Sequence, residues 1–397
     1  MMKKIFSLMA IASMVVAGFT SCTQDNEMVN GQQDAKSQVA NAIGFKVNAD
    51  LSHATRGYAT TAANALSTIS SFRVWAYDAT TNGLYMGADA TTGREVSNTG
   101  TAADPEWTYT PVQFWPVNEL NFVAITPYSD ASITSNSTAS ATGLVTLTTG
   151  VTVDTDVEDQ KDIMFACGKD ASNTPVWGPV AKDDYAGDVP LVFKHALSQI
   201  VFKGQLPTSG AITKVSIAEI TLGNVGKTGT MTFTSANTFF GGNEYITAST
   251  PSAFTLESGD LEASVWEAGN GATAGTPFDL TVSENSTKKN AWFLLPQRAA
   301  AWVPANAAQT KAGGMAAAPT TGAYLKIRAQ LEKDGVVVLG SAATDAIYLP
   351  LEISWDRSKK YTYTIEFNGT AALTPITFSV TAEDWTDANP QPGQIDM

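Results

Sequence analysis

Apolar residues recur at every second position along much of this chain. Ile43, Phe45 and Val47 alternate with Gly44 and Lys46, the period of a strand with one buried face. The same period returns late in the sequence. Tyr361, Tyr363, Ile365 and Phe367 alternate with Thr362, Thr364 and Glu366, and Ile376, Phe378 and Val380 follow. Between these ends, residues 72–77, 120–125, 163–167, 191–197, 199–203, 212–222, 231–233, 291–295, 324–331, 336–339 and 346–353 read as further short strands. Asn82-Gly83 is a hairpin turn. A glycine-rich turn separates 212–222 from 231–233, and the Ala-, Gly- and Pro-rich stretch 299–321 is a long loop. Helical periodicity is scarce, with room for one or two short helices near residues 195–199. Many short strands between turn signals predict an all-β protein with one β-sandwich in each half. The Pro-, Gly- and Asp-rich stretch 175–188 marks the division.

The N-terminus follows a different pattern. Lys3 and Lys4 precede an apolar run over residues 5–19, and small residues then lead to Cys22. The run is too short for a comfortable membrane span and has the layout of a secretory signal. Phe19-Thr20-Ser21-Cys22 resembles a bacterial lipobox, although Leu is the usual first residue. Lipidation at Cys22 would place several acyl chains at one point, each buried methylene adding about 0.8 kcal/mol of membrane affinity. Residues 23–42 are polar and poor in aromatics and read as a flexible tether. Asp25 and Glu27 resemble the surface-export signal of Bacteroidetes lipoproteins.

Composition narrows the function classes. The chain has 397 residues, of which 44% are hydrophobic and 16% charged, and a formal net charge of −14. A sizeable core is available, and the acidic balance argues against nucleic-acid binding, which needs basic patches. With Cys22 assigned to lipid, the other cysteine, Cys167, has no disulfide partner. It sits in an apolar run with no base nearby and reads as an inert buried thiol.

Candidate chemistry is thin. His53 and His195 are the two histidines, too few for a closed zinc site without carboxylates. His195 lies between apolar residues and reads as structural. Residues 223–228 look like part of a P-loop, but Thr221 stands where the first glycine is needed. Gly269-x-Gly271-x-x-Ala274 leads into a strand-like segment instead of the helix a dinucleotide site requires. Asp154, Asp156, Glu158, Asp159 and Asp162 lack the glycine of a calcium loop. Trp107, Trp115 and Trp266 suit core packing better than glycan stacking. We therefore expect no enzyme, no metal and no cofactor.

Six segments occur in one order: WPVNELNFVAITPY, KDIMFA, VPLVFKHALSQIVFK, WFLLPQ, WDRSKKYTYTIEF and ITFSVTAEDW. In that order they resemble the fimbrillin family of Bacteroidales from about residue 43 to 385. The resemblance implies two transthyretin-like Greek-key sandwiches in tandem and a structural or adhesive role in cell-surface fimbriae. It divides the chain into a signal (1–21), a tether (22–42), a removable first strand with its cleavage loop (43–56) and two sandwiches (57–185 and 186–397).

The resemblance also implies a mechanism. The precursor, anchored in the outer membrane, is cut between Arg56 and Gly57 by an Arg-specific protease. The strand carrying Ile43, Phe45 and Val47 leaves, and a strand from another fimbrial subunit fills the groove by β-augmentation. The donor is the strand carrying Ile376, Phe378 and Val380 or the polar tail beyond Trp385; the sequence leaves both open. It also leaves open whether the subunit is stalk, tip or accessory, and which host or bacterial surface ligand it would meet. The competing reading is a glycan-binding surface lipoprotein of a nutrient-uptake system, which would have no use for a removable strand.

Overall fold

The computed structural model describes residues 41–47, 69–101, 105–128, 133–139, 145–156, 159–167, 178–184, 188–208, 212–234, 246–257, 265–268, 271–280, 291–340, 346–367 and 376–384. In chain order the strands are β1 (Gly44–Val47), β2 (Ser71–Asp78), β3 (Leu84–Met86), β4 (Arg94–Asn98), β5 (Trp107–Thr108), β6 (Leu120–Thr126), β7 (Ile133–Ala139), β8 (Val145–Thr152), β9 (Met164–Cys167), β10 (Asp188–His195), β11 (Ser198–Gln205) and β12 (Lys214–Thr234). They continue as β13 (Ser249–Glu257), β14 (Val265–Ala268), β15 (Gly271–Ala272), β16 (Pro277–Asp279), β17 (Ala291–Leu294), β18 (Arg298–Ala299), β19 (Tyr324–Lys333), β20 (Val336–Leu339), β21 (Ala346–Pro350), β22 (Ile353–Ser354), β23 (Lys359–Phe367) and β24 (Ile376–Asp384). Among the described residues the one helical element is a 3-10 turn at Lys182–Asp184. The all-β expectation holds.

The first sheet runs β1-β10-β9-β6-β2-β4-β5, with β3 beside β2. Its central strands β2 and β6 bury residues on both faces, because the two faces meet different cores. Phe72, Val74, Phe122, Ala124 and Phe193 face one core together with Ile43 and Phe45. Trp75, Val123, Ile125 and Phe165 face the larger core. Strands covered on both sides carry continuous apolar runs instead of clean alternation, which is how residues 120–125 and 163–167 read in the sequence.

A second sheet runs β16-β11-β23-β24, with β17 on β11, and a third runs β15-β14-β12-β19-β20. Tyr361, Tyr363, Ile365 and Phe367 of β23 point into the larger core opposite Val215, Ile217 and Leu331 from the third sheet. Strand membership does not follow a cut at residue 185. β10 completes the first sheet, while β7 and β8 extend the third by pairing β8 with β12.

Two local expectations are corrected. Residues 195–199 form the end of β10 and the start of β11, not a helix; Ala196 and Leu197 between them are buried core, and tertiary packing overrides local preference there. The glycine-rich stretch after Leu222 is not a turn between strands but the bent middle of β12, a single strand of 21 residues. Its pairing with β13 shifts between Leu222 and Val225, and Asn224 has φ 57°, as at a β-bulge. Glycine is required at 223 because a Cβ there would lie 1.9 Å from the Tyr324 ring.

Candidate functional site

β1 lies in a slot at the rim of the first sheet. Along one side it pairs in parallel with β10, Gly44 to Asp188 through Val47 to Leu191. Along the other, the chain just before it is bonded to residues 113–115. The Ile43 N–H donates to Gln113 O at 2.9 Å, and the Trp115 N–H donates to Asn41 O at 2.8 Å. The Tyr109 hydroxyl donates to Ile43 O at 2.8 Å, and Lys182 Nζ donates to Asn41 Oδ1. The segment is thus bound through its backbone on both sides.

Its side chains fill the core of that half. Ile43 and Phe45 are 2% and 6% exposed, Val47 is half-buried, and Lys46 projects to solvent. The Phe45 ring meets Phe72, Tyr109 and Phe122 edge-on, with centroids 5.6, 5.7 and 6.1 Å away, the favoured aromatic geometry. Val189 and Leu191 of β10 line the same core. Burial pushes the Tyr109 phenol up from its ordinary value. Gly44 makes the close approach to β10 feasible, since an added Cβ would lie 1.9 Å from the Asp188 carboxylate.

The residues of the proposed donor strand sit elsewhere. β24 pairs antiparallel with β23 over nine register pairs, from Ile376–Phe367 to Asp384–Lys359. Ile376 is buried, Phe378 is half-buried 6.0 Å from the Tyr363 ring, and Val380 is 49% exposed. β24 therefore has a sheet of its own. Cys22, Arg56, Gly57 and the tail beyond Trp385 lie outside the described residues.

The remaining candidates are structural where they are described. Cys167 is fully buried and desolvation pushes its thiol up to about 12, far above the range of reactive thiolates. His195 pairs with Asp162 through Nδ1 at 2.9 Å, both 6% exposed. Residues 223–228 lie within β12, and the acidic run is tied into the fold by Gln160, whose amide donates to Asp154 O and accepts from the Phe293 N–H. No cluster of metal-ligating side chains occurs among the described residues. Trp107 packs 5.2 Å from Phe72 and Trp115 5.9 Å from Phe122, so both serve the core around β1.

Sequence reasoning found β1 but not its walls. Tyr109, Gln113, Val189 and Leu191 come from segments 66 or more residues beyond Ile43. The alternation of Val189, Leu191 and Phe193 was the one available signal for the β10 wall.

A family model described as fimbrillin-like matches residues 55–385. Fimbrium subunit Fim1C of Phocaeicola vulgatus is 28% identical over 203 residues, which is 49% of this chain and 49% of that protein. The chain thus spans about half the length of the curated relative it matches. A solved fimbrial protein from Bacteroides vulgatus superposes with a TM-score of 0.52 at 20% identity, covering 87% of this chain and 100% of that one, a likeness of fold. With the family model matched over most of its length, the chain belongs to the fimbrillin-like family.

Proposed function

We propose that this chain is a structural and adhesive subunit of cell-surface fimbriae that polymerises by exchanging its first strand. The observation that carries the reading is β1 itself. It is a four-residue strand whose side chains complete a core built by residues far downstream. Removing it would leave unpaired backbone groups on β10 and on the 113–115 segment, and empty pockets where Ile43 and Phe45 sat. Refilling those two pockets is worth about 3–6 kcal/mol from apolar burial, and the new strand would regain the backbone bonds. The family match begins at residue 55, so β1 lies upstream of the shared part.

In this reading the precursor is exported as a lipoprotein, lipidated at Cys22 and held at the outer membrane until cleavage after Arg56 frees β1. The body comprises two tandem sandwiches. The partner is another fimbrial subunit. β24 could act as donor only by opening its nine-pair ladder and uncovering Ile376, which favours the segment past Asp384 for that role.

Mild trypsin treatment of leaderless protein, followed by electrophoresis without boiling, tests the proposal. Trimming to Gly57 with a ladder of oligomers is expected. Trimming to a stable monomer would remove the reading and return the surface glycan-binding alternative.

A further inference from the structure

A cleft of about 550 Å³ opens where β4 and β5 meet, sharing Tyr109 with the wall of the β1 slot. It forms because β5 pairs with β4 only at Ser97–Thr108 and Asn98–Trp107, after which the two chains splay apart. Arg94 bridges the gap, its Nη1 donating to Thr110 O at 2.9 Å. Its Nε is buried and has no hydrogen-bond partner among the described residues.

Tyr128 contributes an aromatic ring to the lining, and Arg73 supports it from behind the cleft. Arg73 lies 5.4 Å from the Tyr128 ring centroid and 5.9 Å from that of Trp75, and its Nη2 donates to Tyr128 O at 2.6 Å. Tyr128 is thereby fixed before any ligand arrives. Glu95, Thr92, Ser97, Thr108 and Tyr109 also line it, the Thr92 and Ser97 hydroxyls donating to Asp89 and Glu95.

We propose that this cleft binds a neutral oligosaccharide. Its volume lies in the range of small-molecule sites. The lining offers what sugar rings need: a preset aromatic face for their C–H surface, and planar charged groups with hydroxyls for their own hydroxyls. Arg94 and Glu95 balance in charge. The net charge of −14 repels polyanionic glycans at long range, which selects neutral ones. The cleft lacks the apolar enclosure that a lipid would need. The inference goes beyond strand exchange and does not depend on it, since the cleft exists with β1 in place.

The test uses uncut, leaderless protein on gels carrying mannan, xylan, laminarin or desialylated mucin glycans. Retention on at least one of them is expected. Arg94→Ala and Tyr128→Ala should weaken it at least tenfold. Thr108→Trp, which fills the cleft while removing no contact within the protein, should do the same with an unchanged melting temperature. The proposal is overturned if no gel retains the wild-type protein, or if Thr108→Trp binds as wild type does. Either result leaves the oligomer ladder after trypsin unaffected, so the two readings fail separately.

Discussion

β1 and β24 are both terminal strands of their sheets, yet opposite forces hold them. β1 has four register pairs, and it and the residue just before it bury two apolar side chains, Phe45 and Ile43. β24 has nine register pairs and one, Ile376. The first adds buried side chains to a short run of backbone bonds, whereas the second rests mainly on its ladder. A strand held by side chains leaves shaped pockets when it goes; a strand held by its ladder leaves a bare edge that any extended segment could meet. Selective refilling by a partner strand needs pockets, because alternate side chains carry specificity. The contrast agrees with the proposal that β1 leaves and β24 stays.

The contrast can be broken by substitution. Phe45→Ala in the uncut protein should cost about 3–5 kcal/mol, read by chemical denaturation, since the ring touches three other aromatics. Ile376→Ala should cost about 2–4 kcal/mol. Val380→Ala, four residues further along the same strand and 49% exposed, should stay within about 0.5 kcal/mol. Equal costs for Phe45→Ala and Val380→Ala would remove the distinction between the two strands.

A smaller effect sharpens the comparison on the side of the first sheet. The Asp89 carboxylate accepts bonds from the hydroxyls and N–H groups of Thr91 and Thr92, which hold it down at about 2. Its folded value lies below the ordinary carboxylate range, so its contribution is present above about pH 4 and is lost as pH falls toward 2. Asp89→Asn should lower the denaturation midpoint slightly at pH 7 and flatten its fall across that window, so that the two proteins converge near pH 2. Cys167, buried and with its thiol pushed up, should resist a thiol reagent at pH 8 until the protein is unfolded.

Much of the β1 side of this picture was legible from residues 43–47 alone, because alternation reports one buried face wherever the partner lies. The partner was not legible. β10 is more than 140 residues downstream and joins β1 in parallel, a pairing that no hairpin turn announces. Tyr109 reaches β1 through a hydroxyl bond, and a single tyrosine has no period to betray it. β12 was misread for a related reason. Its glycines serve close approach to Tyr324, Ala248 and Ile246, and locally that looks the same as a turn. The resemblance to fimbrillins supplied the cleavage and exchange idea, while the buried side chains of β1 give it a physical basis.

The most direct measurement fastens β1 in place. The register sets Gly44 opposite Asp188, and a Cβ at 44 would lie 3.6 Å from Asp188 Cα, close enough for a disulfide. Leaderless Gly44→Cys/Asp188→Cys protein, oxidised and then cut by trypsin at Arg56, should remain monomeric, and adding dithiothreitol should release the oligomer ladder. Oligomers forming at the same rate with the disulfide closed would contradict the account, because assembly would then proceed with the first strand still in its slot.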